Sequence, residues 1–491
     1  MADADVDAKP RGNNLSATKQ HPSTNNRGLA FTLATRTTAL LILVYSTWEL
    51  ANALTRAPPF LAVWRGASPT GFLSPEGVAH STSFTGSLVK LLYVTSYAGT
   101  LTTLKLTATT SSSSSDGLSR ASLETVSATS NCGPSPSWVT LDTRHSLLFC
   151  ADEGLGRPTG FVTSYETSSG GVLVLLDRIE VLAGAVAITP YGRELLYLSI
   201  SVSGGSPQRR TGELELVQNE TYALAHPPGP DPVRQEAPHP HDAIVDPTGQ
   251  YLLVPDLGAD LVRVFKLDRR GRAATRTPLP PVVASPGSGP RHGAFVRVPT
   301  TAPDGRSRSR TFFYLVSELA NTITGYEVVY HGEGEGTGKL DFDEQFTIGT
   351  HGEGEPVPEG AAVAEIQVTP DGRFLIVSSR NESSSNIPHV ERSRSNNGDS
   401  NDNIGGTPSD SLISFRIHQT TGLLTKLQEF PAGGLIPRHF SVSADGSLVA
   451  VGLQGDGRVV VISRNLETGK LEDYIAYADV EGEVTAVIFD E

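Results

Sequence analysis

Two copies of Pro-Arg-His, at 290–292 and 437–439, and a His-Pro-His run at 239–241 are where this chain gathers side chains able to do chemistry. An imidazole moves protons near neutral pH, and a guanidinium offers a fork of donors that fits a carboxylate or a phosphate. His241 precedes the run AIVDPTG, Arg291 precedes GAFVRV, Glu318 closes YLVS and Arg380 closes FLIVSS, so all four stand at the beginnings or ends of apolar segments. Side chains at strand ends can converge on one mouth of a β-structure even when they are far apart in sequence. His239, His292, Arg438 and Gln454 occupy neighbouring or equivalent positions and are expected to contact the same ligand. On a strand His239 and His241 share a face and could share a metal ion, but no third ligand stands at a suitable spacing. No metal is expected, and the plainer role for His239 is in a turn or behind His241.

The elements that position these residues repeat. An apolar strand runs into a turn of the Pro-Asp-Gly type, a second strand leaves it ending in small or polar residues, and a further alternating strand follows. The clearest copies are HDAIVDPTGQYLLVPDLGADLVRVFKL (241–267), EIQVTPDGRFLIVSSR (365–380) and RHFSVSADGSLVAVGLQGDGRVVVISR (438–464). Weaker copies are WVTLDTRHSLLFCADE (138–153), AVAITPYGRELLYLSI (185–200) and the stretch 294–328. An opening copy, KLLYVTSYAGTLTTLKL (90–106), lacks its first strand, and EVTAVIFDE (483–491) can supply a strand that closes the ring. In the turn, Pro presets φ, Asp caps the backbone and Gly takes positive φ. Apolar spacing of three and four, the mark of a helix, is missing. The fold class expected is all-β, a seven-bladed β-propeller of four-stranded antiparallel blades.

Around this frame lie segments of other character. Residues 1–55 are a polar leader plus an apolar stretch, TTALLILVYSTW, too short to span a bilayer but of signal-peptide length and followed by Ala51-Asn52-Ala53. That favours the secretory pathway, with a cytoplasmic location as the alternative, and no stable membrane span. Residues 56–84 are expected to hold a linker and a possible closing strand, and 85–491 the propeller. The stretches 111–117, 227–238 and 391–406 look like polar insertions, and 276–289 like a proline-rich linker. A net charge of −14 argues against nucleic acid as a partner, so an anionic ligand needs local cations. Cys132 and Cys150 can pair once or remain free thiols.

Taken in order, PSPSWVTLD, PHPHDAIVDPTGQYLLVPDLGADLVRVF, GSGPRHGAFV with YLVSELANTITGYEV, EIQVTPDGRFLIVSSR and GLIPRHFSVSADGSLVAVGLQ resemble the successive blades of the seven-bladed lactonase family. That family groups 6-phosphogluconolactonases with fungal carboxy-cis,cis-muconate cyclases, and the resemblance covers about residues 85–490. It implies an enzyme that opens or closes a small anionic lactone without a cofactor. It also implies a catalytic set of His241, Arg291, Glu318 and Arg380: imidazole as base, guanidiniums on the carboxylate or oxyanion, and Glu318 orienting water or an arginine. The sequence departs from the family in the third blade, at AGAVAITPYGRELLYLS, and in the fifth, which carries an RSRSR insertion after its turn.

No Gly-rich strand-to-helix loop marks a nucleotide site, and no G-x-S-x-G elbow marks a serine esterase. The Glu residues of GEGEG (332–336) would repel a phosphate. Two readings stay open, a lactone enzyme or a non-catalytic propeller that binds a protein or a sugar acid. An aromatic content of 7% leans toward the enzyme, because interaction rims are aromatic-rich.

Overall fold

The computed structural model describes residues 70–71, 87–109, 120–191, 195–198, 203–205, 212–218, 221–225, 227–268, 275–301, 307–331, 339–387 and 406–491. Residues from Ser68 onward form one compact unit; the leader and its apolar run belong to a second unit, Met1–Ala67, outside the described residues. Regular structure among the described residues is entirely β. Six antiparallel sheets have four strands each, and a seventh has five because Thr70–Gly71 pairs with the outer strand Leu471–Asp479. A separate two-stranded ribbon joins Ser385–Ile387 to Thr407–Ser409.

In each sheet the chain runs outward from an inner strand. The second strands are unbroken apolar runs, such as LLFCAD (147–152), YLLVPD (251–256) and LVAVGL (448–453), with every residue buried. A strand covered on both faces has no solvent side to alternate with, which is why these runs lack a period of two. The outer strands Val174–Leu182 and Lys339–Gly349 carry the exposed positions instead. Seven clusters of buried side chains lie between successive sheets. Leu92, Val94 and Leu104 of the first sheet, for example, pack on Ala450, Val459 and Val461 of the last. One cluster serves each neighbouring pair, first and last included, so the sheets form a closed ring.

The closing strand comes from the end of the chain. Val484–Phe489 pairs with Ser87–Ser96 and becomes the inner strand that the opening copy lacks. Thr70–Gly71, the described part of 56–84, lies at an outer edge and does not close the ring.

Turn chemistry follows the sequence. Asp246 Oδ1 accepts from the amides of Gln250 and Tyr251 at 2.8 and 2.7 Å, while Gly249, Gly372 and Gly446 hold φ of 65°, 68° and 76°. One expectation needs correction. The 276–289 stretch is mostly not a linker: Thr275–Val283 is an outer strand paired with Leu261–Asp268, and its prolines are tolerated because an edge strand has a side with no ladder to join. Ser307 to Arg310, the described part of the RSRSR insertion, belong to Ser307–Ser317, which forms a long hairpin with Pro290–Thr301. Cys132 and Cys150 are disulfide-bonded, their Cα atoms 5.9 Å apart.

The inner strands beginning at Pro136, Pro290 and Pro437 share a backbone irregularity. Each slips register at its first step, between Pro136 and Trp138, Pro290 and His292, and Pro437 and His439. Such a bulge leaves one residue out of the ladder and re-aims its side chain. The residues left out are Ser137, Arg291 and Arg438.

Candidate functional site

The amides of Asp246, Thr369 and Ser443 each donate to a carbonyl five residues on, at Tyr251, Phe374 and Leu448, which makes these positions equivalent from sheet to sheet. Four residues before each stand Asp242, Glu365 and His439; one earlier stand His241, Ala364 and Arg438. The shared Pro-Arg-His places Arg291 in the outer tier and His292 in the inner. Repetition of the fold thus stacks two layers of polar side chains. Ser137, Trp138, His241, Arg291, His292, Arg438, His439 and Thr485 line one narrow space between them.

Glu318 follows the strand Ser307–Ser317 and is pinned by its amide, which donates to Gly289 O at 2.8 Å. Its buried carboxylate receives three guanidiniums. Arg291 Nη1 donates to Oε2, Arg380 Nη2 lies 3.2 Å from the same oxygen, and Arg234 Nη2 donates to Oε1 at 2.7 Å. Burial alone would raise this carboxyl, yet Arg291, Arg380 and Arg234 together hold it well below the usual carboxylate range. Arg291 is further tied by Nε to Ala364 O at 3.1 Å, and Arg380 by Nε to Ala362 O at 3.1 Å. Two arginines expected to grip a ligand are therefore already held by Glu318 and by backbone carbonyls.

A chain of rings runs from His241 of the outer tier into the inner one. His241 Nδ1 lies 3.0 Å from His292 Nε2, and His292 Nδ1 lies 3.0 Å from Glu365 Oε2. His439 Nε2 approaches the same oxygen at 3.5 Å, while its Nδ1 accepts from the Val487 amide at 3.3 Å. Trp138 meets the His292 and His439 rings edge-on, with centroids 5.6 and 4.8 Å away. Burial pushes His292 down to about 3 and His439 to about 4, and burial with the nearby Arg291 keeps His241 well below its ordinary value. All three imidazoles are neutral at neutral pH. Burial lifts Asp242, the fourth polar member of the inner tier, to about 6.

Arg438 differs from the other guanidiniums. Among the described residues no carboxylate lies within ion-pair distance of it, and it sits 5.5 Å from the ring centroid of Tyr97. Tyr97 in turn donates to Glu153 Oε2 at 2.6 Å. Beside this group opens a cavity of about 320 Å³, lined by Glu153, Val186, Arg234, His239 and His241 among others. His241 borders both this cavity and the narrow space below it.

A family-wide sequence model described as "Lactonase, 7-bladed beta-propeller" matches residues 92–489. The chain belongs to that lactonase family. Among curated relatives, a protein named probable 6-phosphogluconolactonase from Arthroderma benhamiae is 28% identical over 417 residues, covering 84% of this chain and 89% of the relative. Among solved structures, a protein titled putative 6-phosphogluconolactonase from Bacteroides fragilis superposes with a TM-score of 0.60 at 20% identity, over 83% of this chain and 99% of its own. The periplasmic gluconolactonase of Pseudomonas aeruginosa gives 0.58 at 23% identity, over 82% and 99%. At those identities the solved structures attest the lactonase fold.

Of the positions singled out from sequence, His241, Arg291, Glu318 and Arg380 come together. His292, expected to contact a ligand, has both ring nitrogens engaged by His241 and Glu365, so its nitrogens serve protein partners. His239 stands on the cavity wall with its ring on Glu236, 3.0 Å away. Gln454 donates to Glu483 at 2.8 Å and does not line the cavity. Asp256 and Asp260 cap loops, Asp256 accepting from the His239 amide and Asp260 from those of Gly287 and Gly289.

Sequence reasoning missed Arg234, which lies in the 227–238 stretch read as a polar insertion. That loop is anchored by the fully buried Gln235, whose amide donates to Leu257 O at 3.0 Å. Glu365 and His439 were also missed; blade-to-blade equivalence with His292 and Asp242 was the available signal. A further group, His351, Glu382 and Glu429, lies within metal-ligating reach, but its atoms already satisfy one another, Ser379, Ser411 and Lys426.

Proposed function

We propose that this chain hydrolyses a small aldonolactone of the gluconolactone type, phosphorylated or not, at the head of its channel. The observation that carries this reading is the neutral imidazole of His241, which borders both the cavity and the narrow space that Arg438 also lines, Arg438 having no carboxylate within ion-pair distance among the described residues. A neutral imidazole is a base, and an unpaired guanidinium in a partly buried site is a standing receptor for an oxyanion or a carboxylate. His241 takes a proton from water as the water oxygen attacks the lactone carbonyl. Arg438 faces the negative oxygen that results. Collapse breaks the ring C–O bond, and the proton held by His241 passes to the leaving alkoxide, giving the hydroxy acid. Glu318 keeps Arg234, Arg291 and Arg380 fixed around its carboxylate.

The relatives named above are called lactonases, which favours ring opening over muconate cyclisation. The Cys132–Cys150 bond and the exposed Asn381 of an Asn-Glu-Ser sequon support an oxidising, secretory location, where an unphosphorylated aldonolactone is the more accessible substrate.

A substrate panel decides the matter. 6-Phosphogluconolactone, gluconolactone and carboxymuconate are offered to the full chain and to His241→Ala. Hydrolysis of one of the two gluconolactones, falling about 10²- to 10⁴-fold in the variant, is the expected result. Equal turnover by both proteins, or none by the wild type, removes the proposal.

A further inference from the structure

The inner tier carries hydrogen-bond information that the outer one does not. The Val487 amide can only donate, so the His439 nitrogen that faces it, Nδ1, carries no proton. His439 is neutral, so its proton is on Nε2, the nitrogen that lies 3.5 Å from Glu365 Oε2. Glu365 Oε1 accepts from the Ile366 amide at 3.0 Å. Burial pushes the Glu365 carboxyl up, while His439, the Ile366 amide and Arg291 oppose that shift; held as a carboxylate by those groups, it accepts from the remaining contact, His292 Nδ1 at 3.0 Å. A neutral His292 that donates through Nδ1 has a bare Nε2. His241 faces that bare nitrogen with Nδ1, so its own proton is there, and its Nε2 lone pair is left free.

We propose that Glu365 and His292 are positioning residues that fix the His241 tautomer with its proton on Nδ1, leaving Nε2 as the base. The fixed point is the Val487 amide, in the strand that closes the ring. An amide cannot reverse its polarity, whereas a chain of imidazoles alone could run in either sense. When His241 accepts a proton during turnover, its Nδ1–H still points down the chain toward the Glu365 charge, which stabilises the imidazolium as it forms. Trp138, packed edge-on against His292 and His439, resists rotation of the two rings. The inference rests on His241 being the base of the proposed hydrolysis, but the tautomer can be read without any substrate.

The charged and titratable groups facing this chain are Asp242, Arg291, Glu318, Arg438 and His439. All stay in place in Glu365→Gln, which removes only the charge and offers an amide NH₂ to His292. In ¹⁵N-histidine-labelled full-length protein, long-range proton–nitrogen spectra, assigned with His241→Gln, are expected to show His241 protonated on Nδ1. Glu365→Gln should move that proton to Nε2, lower kcat about 10²-fold with KM little changed, and shift the acid limb of the kcat/KM profile to lower pH. A purely structural glutamate would change the melting temperature without moving the tautomer or the pH limb. Should the wild-type spectrum show His241 protonated on Nε2, the proposal is wrong whatever Glu365→Gln does, even if that variant does not fold. A wild type with the Nδ1 tautomer but no lactone turnover would leave the relay standing and remove the hydrolase reading.

Discussion

Pro290-Arg291-His292 and Pro437-Arg438-His439 are the same three residues with the same bulge at the start of an inner strand, yet they end in opposite circumstances. Arg291 is locked to Glu318 and to Ala364 O, while Arg438 has an aromatic ring beside it and, among the described residues, interacts with Glu153, Glu318 and Glu483 only from beyond ion-pair distance. His292 links His241 to Glu365; His439 reaches the same glutamate from the other side and is tied to the Val487 amide. Local sequence decides the backbone and the direction of the side chain. The neighbouring sheet decides whether that side chain finds a partner, and so whether it is scaffold or receptor.

Breaking the comparison at its first member should have the largest effect. Arg291→Ala strands a buried Glu318 with weaker compensation and is expected to cost about 3–5 kcal/mol in chemical denaturation; a loss below about 1 kcal/mol would mean the two arginines are not different in kind. A control lies away from both elements. Replacing Cys132 and Cys150 together by Ala opens a loop of sequence separation 18 and should cost about 3 kcal/mol. Its KM should not move, which separates lost stability from lost binding.

Arg438→Ala breaks no ion pair, so its melting temperature should stay near that of the wild type. Its KM for an anionic lactone should rise about tenfold to a hundredfold, the worth of a charge-assisted hydrogen bond of about 1.5–3 kcal/mol. An unchanged KM would return Arg438 to a structural role.

The two histidines give the sharpest test, read as a slope per pH unit. Each has a folded pKa below its unfolded value near 6.5, so the unfolded chain binds the extra proton and stability falls as pH drops below 6.5. The loss runs at about 1.4 kcal/mol per pH unit for each ring, until pH reaches about 4 for His439 and about 3 for His292. His292→Gln and His439→Gln should each flatten that slope in urea titrations between pH 6.5 and 4, and only His292→Gln should continue to do so below 4.

Much of the fold was readable because its rules are local. The turn residues before Gly249, Gly372 and Gly446, the apolar second strands, and a final segment left over to fill the gap in the first copy all announce a ring of sheets. That His241, Arg291, Glu318 and Arg380 stand together was readable through family resemblance and through their place at strand ends; what each does was not. Prolines misled the reading of 276–289, since a proline-rich stretch and an outer edge strand have the same composition. Arg234 was hidden because nothing in a polar loop says where it folds back, and only the burial of Gln235 places it.

By itself the sequence determined the repeat, the turn chemistry and which residue types stand at the inner ends of the strands, because each depends on a few consecutive residues. Partnership was decided only by tertiary structure: Glu318 with three arginines, Arg438 with a tyrosine ring in place of a carboxylate, and the path from the Val487 amide through His439, Glu365 and His292 to His241. Those contacts join residues 73 apart for His292 and Glu365, 84 for Arg234 and Glu318, and 341 (438 − 97) for Tyr97 and Arg438. Closing the ring sets which blade stands next to which, and no local pattern encodes the distance between two side chains that meet across it.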